Sequence, residues 1–270
     1  MRVALLGGGT IGRLVLERAR RGDLHGIEIV ALAGRGATSP AAALAGEFGV
    51  RYVTGGALVA LRPDTVVEAA SHVAVQEHLV ALLEAGINVI VLSAGALVDD
   101  ALCRRAEEAA RRSGALLYVP SGGIGGLDVL KTACIAGVDT VTIQVAKPPA
   151  AWKGIAYVEQ RGFQLEGLTA PVTLFEGQAR AGVPHFPQNV NIAAVLALAG
   201  IGWDRTSLRV VADPALRLNT HTIHVAGRSG RFSVVLENVP SPENPKTSWL
   251  ACYSALAALK ALESRVRYGT

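Results

Sequence analysis

Six residues near the start of the chain, Gly7-Gly8-Gly9-Thr10-Ile11-Gly12, have the type and spacing to hold a pyrophosphate. In a turn from strand into helix, Gly7 allows the tight bend, Gly9 lets the backbone approach a phosphate, and Gly12 lets the helix pack closely on the strand. The helix behind the turn offers free N–H groups and the positive end of its dipole to the anion. Such a turn is weak evidence alone, but here it directly follows the apolar run Val3-Ala4-Leu5-Leu6. Gly7, Gly9, Thr10, Ile11 and Gly12 are therefore expected to contact NAD or NADP.

The second strand of such a unit ordinarily ends in a carboxylate that binds the ribose 2′-hydroxyl. Here it ends Ala31-Leu32-Ala33-Gly34-Arg35, with Thr38 and Ser39 close behind and no carboxylate. Arg35 suits a 2′-phosphate, so NADP is expected to serve at least as well as NAD. The plainer reading of Arg35 is a solvent-facing loop arginine. The loops Ala70-Ser71-His72 and Ser93-Ala94-Gly95-Ala96 should face the same crevice, which makes Ser71 and Ser93 candidate cofactor contacts. His72 equally suits a helix start and is given no catalytic role.

Removal of hydride from carbon calls for a nearby proton acceptor, and histidine, with an ordinary pKa near ~6.5, suits that task. Six histidines compete. His25, His78 and His185 fall on expected surface helices or loops. In Asn219-Thr220-His221-Thr222-Ile223-His224, strand alternation sets Asn219, His221 and Ile223 on one face and His224 on the other. From the residues alone the choice between His221 and His224 stays open.

Four phrases spread along the chain carry more specific information: Pro120-Ser121-Gly122-Gly123-Ile124-Gly125-Gly126-Leu127-Asp128, Phe186-Pro187-Gln188-Asn189-Val190-Asn191-Ile192-Ala193-Ala194, Asn219-Thr220-His221, and Asn244-Pro245-Lys246-Thr247-Ser248. In this order they resemble the L-aspartate dehydrogenases. The resemblance implies an N-terminal Rossmann domain joined to an α+β catalytic domain, usually in a homodimer. It implies His221 as the catalytic residue, and Gly123 and Asn191 as contacts of the nicotinamide end of the cofactor. Members of the family often carry alanine where this chain has Gly123. The implied reaction is hydride transfer from Cα of L-aspartate, giving iminoaspartate and then oxaloacetate and ammonia, reversibly, and it can feed NAD synthesis.

A dicarboxylate also needs cationic or N–H-rich anchors, because burying an unpaired carboxylate is costly. Asn219, Lys147, Lys153, Lys246, Thr247 and Ser248 are the candidates, although the hydroxyls of Thr247 and Ser248 equally suit a helix cap. Asn191 should stand in the first turn of a helix running to about Ile201, where its amide can donate to and accept from a carboxamide or simply cap the helix. No cluster of metal-ligand spacing is visible, and none is expected.

The elements that must position these residues read as two domains. From residue 1 to 119, β-rich runs alternate with helical patterns: strands Val3–Leu6, Ile27–Ala33, Thr65–Ala69, Val89–Leu92 and Leu116–Val119, with helices Ile11–Arg21, Pro40–Phe48, Val75–Glu84 and Ala101–Arg112 between them. That is an α/β, Rossmann dinucleotide-binding domain on a parallel sheet. From 120 to 246 the runs Thr140–Ala146, Val172–Gln178, Leu208–Val211, Asn219–Val225 and Phe232–Leu236 follow a glycine-rich segment, without helices between them, and read as a mostly antiparallel sheet in an α+β catalytic and dimerisation domain. The stretch 247–270, helical from Thr247 to Glu263, is expected to return to the first domain.

Composition narrows the alternatives. Half of the 270 residues are hydrophobic, enough for two cores. The net charge of +4 comes from arginines scattered over expected helix faces, and only 5% of residues are aromatic, which argues against nucleic-acid binding. Three widely spaced cysteines suit a reducing cytoplasm. The start lacks a signal-peptide pattern, and apolar stretches such as Ile192–Ile201 are too short to span a bilayer. Two other readings remain: a homoserine dehydrogenase or dihydrodipicolinate reductase type of enzyme, or an NAD(P)-sensing protein without chemistry.

Overall fold

In the computed structural model, residues 1–187, 189–241, 247–266 and 268 are described. They form two compact units, one from Met1 to Pro120 joined by the chain from Cys252 to the end of the last helix, the other from Ser121 to Ala251. Among the described residues no helix is long and apolar enough to cross a membrane.

The first unit is a six-stranded parallel sheet in the order β3-β2-β1-β4-β5-β6. Its strands are β1 (Arg2–Leu6), β2 (Glu28–Gly34), β3 (Tyr52–Thr54), β4 (Thr65–Glu68), β5 (Asn88–Val91) and β6 (Leu117–Tyr118). The central strands are buried along nearly their whole length, as strands covered on both faces must be. Helices α1 (Thr10–Arg20), α2 (Pro40–Phe48), α3 (Leu58–Leu61), α4 (His72–Glu84) and α5 (Asp100–Ser113) make the crossovers. Local chemistry fixes their ends. Ser39 accepts from the Ala42 N–H ahead of Pro40, and the left-handed Gly49 closes α2. Asp99 accepts from the N–H groups of Ala101 and Leu102 at the start of α5. Strand β3 went unread in the sequence because it has three residues and only Val53 is buried.

The second unit holds α6 (Leu127–Ala136), β7 (Val138–Lys147), α7 (Ala156–Gln160), β8 (Val172–Gln178), α8 (Ala179–Gly182), α9 (Asn191–Ala199), β9 (Thr206–Ala212), β10 (Asn219–Gly227) and β11 (Gly230–Asn238). Its sheet runs β11-β10-β7-β9-β8. One expectation is corrected here: helices do stand between the strands. The sheet is mostly antiparallel, as expected, with β7 and β9 paired in parallel and the other pairs antiparallel. Parallel neighbours need a long crossover, which the chain from 148 to 205 supplies.

One face of this sheet is buried: Val141, Ile143, Val145 and Lys147 of β7 lie beside Asn219, His221, Ile223 and Val225 of β10. The other presents Ser207, Arg209, His224, Ser233 and Val235, all exposed. The final helix α10 runs from Trp249 to Glu263. Within the first unit its Tyr253 meets Arg18, whose guanidinium donates to the phenol at 3.1 Å and stacks 5.4 Å from the ring centre.

Candidate active site

In the second unit the chemistry collects on the buried sheet face. His221 is 2% exposed, opposite Leu236 on β11 and Val145 on β7. Its Nδ1 lies 3.0 Å from the carbonyl oxygen of Gly123, and the amide of Asn238 donates to the same oxygen at 2.9 Å. A carbonyl only accepts, so Nδ1 carries the proton and Nε2 the lone pair. Asn238 Nδ2 also stands 3.1 Å from Nδ1, an approach set by the shared acceptor. His221 Nε2 has no hydrogen-bond partner among the described residues. Burial, the charge of Lys147 and, in opposition, the Gly123 hydrogen bond together push the imidazole down to about 4. At neutral pH His221 is an uncharged base with its lone pair on Nε2.

Lys147, the last residue of β7, is 2% exposed, and burial pushes its ammonium down to about 7. Its Nζ donates to Asn189 Oδ1 at 3.0 Å and stands 5.3 Å from the ring centre of Trp152, which is itself fixed by an Nε1 hydrogen bond to the Val211 carbonyl. An amide oxygen and an aromatic face both attract the charged form without neutralising it. Asn189 also lines a cavity of about 360 Å³ with Tyr157, Gln160 and His185. Asn219, fully buried, donates to Ser248 Oγ at 3.2 Å, and Thr247 is half-buried beside it, with its carbonyl accepting from Ser241 N. Lys246 lies outside the described residues. Lys153 is exposed and paired with Glu166 at 2.8 Å.

Asn191 opens α9, and its side chain donates to the Pro187 carbonyl at 3.2 Å. Gly123 sits against His221: a β-carbon there would come 3.4 Å from His221 Cε1 and 3.7 Å from Ser248 Cβ, ordinary contacts. The alanine common in the resembled family therefore fits this position.

In the first unit the glycine turn has the shape its sequence suggested. Gly7 takes φ +117°, and a β-carbon there would strike Ala69 O at 2.6 Å. Gly9 faces open space, while Gly12 packs against the carbonyl of Gly7 itself. Gly8 is needed as well, since a β-carbon there would collide with the Ala41 backbone at the start of α2. Helix α1 starts with Thr10 and Ile11 half-buried, no side-chain cap and no acidic residue in its first turn, so its N–H groups and positive dipole end suit a pyrophosphate. Arg35 and Thr38 are exposed just past β2, whereas the Ser39 hydroxyl is engaged in capping α2. Ser71 caps α4 through Ala74 N, and the Ser93 hydroxyl is turned to the buried Glu68.

These two constellations correspond to known families. Residues 7–120 match the NAD-binding domain of homoserine dehydrogenase, and residues 128–262 match the C-terminal domain of aspartate dehydrogenase. An L-aspartate dehydrogenase 2 of Bordetella pertussis is 42% identical over 99% of each chain. The chain belongs to the aspartate dehydrogenase family. An L-aspartate dehydrogenase of Methanosarcina mazei is 46% identical over 77% of this chain and 76% of its own. The crystal structure of aspartate dehydrogenase from Thermotoga maritima superposes with a TM-score of 0.75 at 29% identity, covering 100% of this chain and 99% of that one. The chain thus carries a nicotinamide-dinucleotide-binding domain followed by the C-terminal domain of its family.

Three side chains of these constellations escaped the sequence reading. Asn238 was discoverable, because the turn Gly227-Arg228-Ser229-Gly230 sets the hairpin register that brings Asn238 opposite Asn219. Asn189 stands in the same Asn-Val-Asn phrase as Asn191, and nothing in the phrase says that it holds a lysine. Glu68 carries no local signal, since Ser93, 25 residues on, supplies half of its hydrogen bonds.

Proposed function

We propose that this protein oxidises L-aspartate with NAD(P), giving iminoaspartate and then oxaloacetate and ammonia, in a reversible reaction. The observation that carries the proposal is His221: an enclosed imidazole whose proton is held at Nδ1 by Gly123 and whose Nε2 lone pair has no partner among the described residues. A bound nicotinamide ring supplies the hydride acceptor. His221 Nε2 then takes a proton from the water that attacks the imine carbon and returns it to the departing amine, the work of a general base and acid. Lys147 supplies positive charge for a substrate carboxylate, with Asn189 orienting it. Asn219, Thr247, Ser248 and Lys246 complete the proposed substrate set, and Gly123 and Asn191 the nicotinamide contacts, alongside Gly7, Gly9, Thr10, Ile11 and Gly12. Ser93 and Ser71 serve indirectly, through Glu68 and the α4 cap.

The chain divides into a cofactor domain at 1–119, a catalytic and dimerisation domain at 120–246, and a terminal segment at 247–270 whose helix belongs with the first from Cys252 onward. NADP is used at least as well as NAD, because Arg35 is exposed at the end of β2 and makes no hydrogen bond or ion pair with the described residues. The protein works as a homodimer, a state that the exposed outer sheet face around Val235 and Arg209 suits, and in the cytoplasm, where Cys103, Cys134 and Cys252 stay as free thiols. Absorbance at the reduced-nicotinamide band, with a panel of amino and hydroxy acids, tests the proposal: turnover with L-aspartate alone is expected. Turnover only with homoserine or another substrate, or cofactor binding without turnover, replaces it with one of the other two readings. Light scattering of the purified protein tests the dimer.

A further inference from the structure

Glu68 closes β4 with 2% of its surface exposed, although hydride chemistry has no use for a carboxylate there. Its oxygens accept four hydrogen bonds from two loops: Oε1 from Ala70 N at 2.8 Å, Ser71 N at 3.0 Å and Ser93 Oγ at 2.9 Å, and Oε2 from Ser93 N at 3.0 Å. Those loops leave the carboxyl ends of β4 and β5, the edge of an open parallel sheet where ligands bind. Strand β4 is the neighbour of β1. The segment that Glu68 pins also presses on the glycine turn, since a β-carbon at Gly7 would stand 2.6 Å from Ala69 O and 2.9 Å from Ala70 Cα, and Ala69 N donates to Leu6 O.

Burying a carboxylate is costly even when every lone pair is met, and an apolar residue would close a strand end more cheaply. Strands β1 and β5 end that way, in the buried Leu6 and Val91. What Glu68 adds is shape: one group, four bonds and two loops locked against the phosphate turn.

We propose that Glu68 is the positioning residue of the cofactor site, an enclosed carboxylate that holds the 69–71 and 92–93 loops in register with the Gly7–Gly12 turn. The proposal rests on the reading that the first unit binds NAD(P). Because the N–H groups of Ala70, Ser71 and Ser93 turn inward to Glu68, these loops give the cofactor a preformed wall, and α1 gives it the hydrogen bonds.

Calorimetric titration of Glu68→Gln, Glu68→Ala and Ser93→Ala with NAD and NADP, alongside steady-state kinetics, tests it. Glu68→Gln keeps the size of the side chain but sets an NH₂ against the Ser93 N–H or the Ala70 and Ser71 N–H pair, and should raise both dissociation constants about 10-fold. Ser93→Ala should raise them about 3-fold. At saturating cofactor, kcat and the Michaelis constant for aspartate should stay within about 2-fold of wild type, since His221 and Lys147 belong to the other unit. A purely structural role would lower the melting temperature of Glu68→Gln and Ser93→Ala while leaving their cofactor affinities at the wild-type value, and that result overturns the proposal even if Glu68→Ala fails to fold. Wild-type protein that binds neither nucleotide overturns the cofactor reading itself.

Discussion

Each unit buries ionisable groups, and they are used in opposite ways. In the first, Glu68 is saturated: burial pushes its carboxyl up, every hydrogen bond that it receives pulls it down, and all the donors are loop groups that it holds still. In the second, His221 is engaged through Nδ1 and leaves Nε2 without a hydrogen-bond partner among the described residues, Lys147 meets Asn189 and the Trp152 face, and burial disfavours the charged form of both. A saturated buried charge organises backbone. A buried base with an open nitrogen can move a proton, because its desolvation is relieved only when the substrate arrives.

The largest effect that could break this contrast is at the open nitrogen. His221→Ala should lower kcat by roughly 10²–10⁴ while leaving the NAD(P) dissociation constant unchanged, which single-turnover and binding measurements check together. Near-normal turnover would remove His221 from the mechanism.

Lys147→Met should weaken binding of succinate, an unreactive dicarboxylate, by roughly 10–100-fold, the range of a lost charge-assisted hydrogen bond. The sign of its pH dependence follows from burial. The ammonium is present below about 7 and is lost as pH rises through that value, so succinate affinity of the wild type should fall above neutrality and that of Lys147→Met should stay flat. The same substitution removes a charge that depresses His221. Its imidazole, followed by NMR, should then titrate above about 4, closer to the ordinary histidine value.

Arg35→Ala should raise the Michaelis constant for NADP about 10-fold and leave that for NAD alone. An unchanged NADP constant would return Arg35 to a plain surface role. The smallest effect belongs to Gly123→Ala. With ordinary contacts awaiting the new methyl, kcat and stability should change by less than about 2-fold and ~1 kcal/mol, whereas a large loss would mean that the His221–Gly123 contact tolerates no displacement.

Much of this was legible in the sequence, for reasons particular to each element. Strands β1, β4 and β5 announce themselves as short apolar runs because both of their faces are buried. Alternation along β10 separated His221 from His224, and the structure has the first buried and the second exposed, hydrogen-bonded to Ser233 at 2.7 Å. Alternation reports a face but not a strand direction, so nothing in these runs marks β7 and β9 as the parallel pair of a mostly antiparallel sheet. Nor does it report what a face is for, so His221 stood out only through the Asn-x-His phrase. Glu68 and Asn189 were illegible because their partners come from distant loops, and a strand-end glutamate or a loop asparagine looks the same whether it holds a neighbour or meets water.

The central claim is that hydride leaves Cα of aspartate for the nicotinamide. The most direct measurement uses L-aspartate deuterated at C2 with NAD or NADP, with the reduced cofactor read by mass and by NMR at nicotinamide C4. Reduced cofactor one mass unit heavier, with deuterium at C4, is the predicted result. Reduced cofactor without deuterium, or none formed, would contradict it.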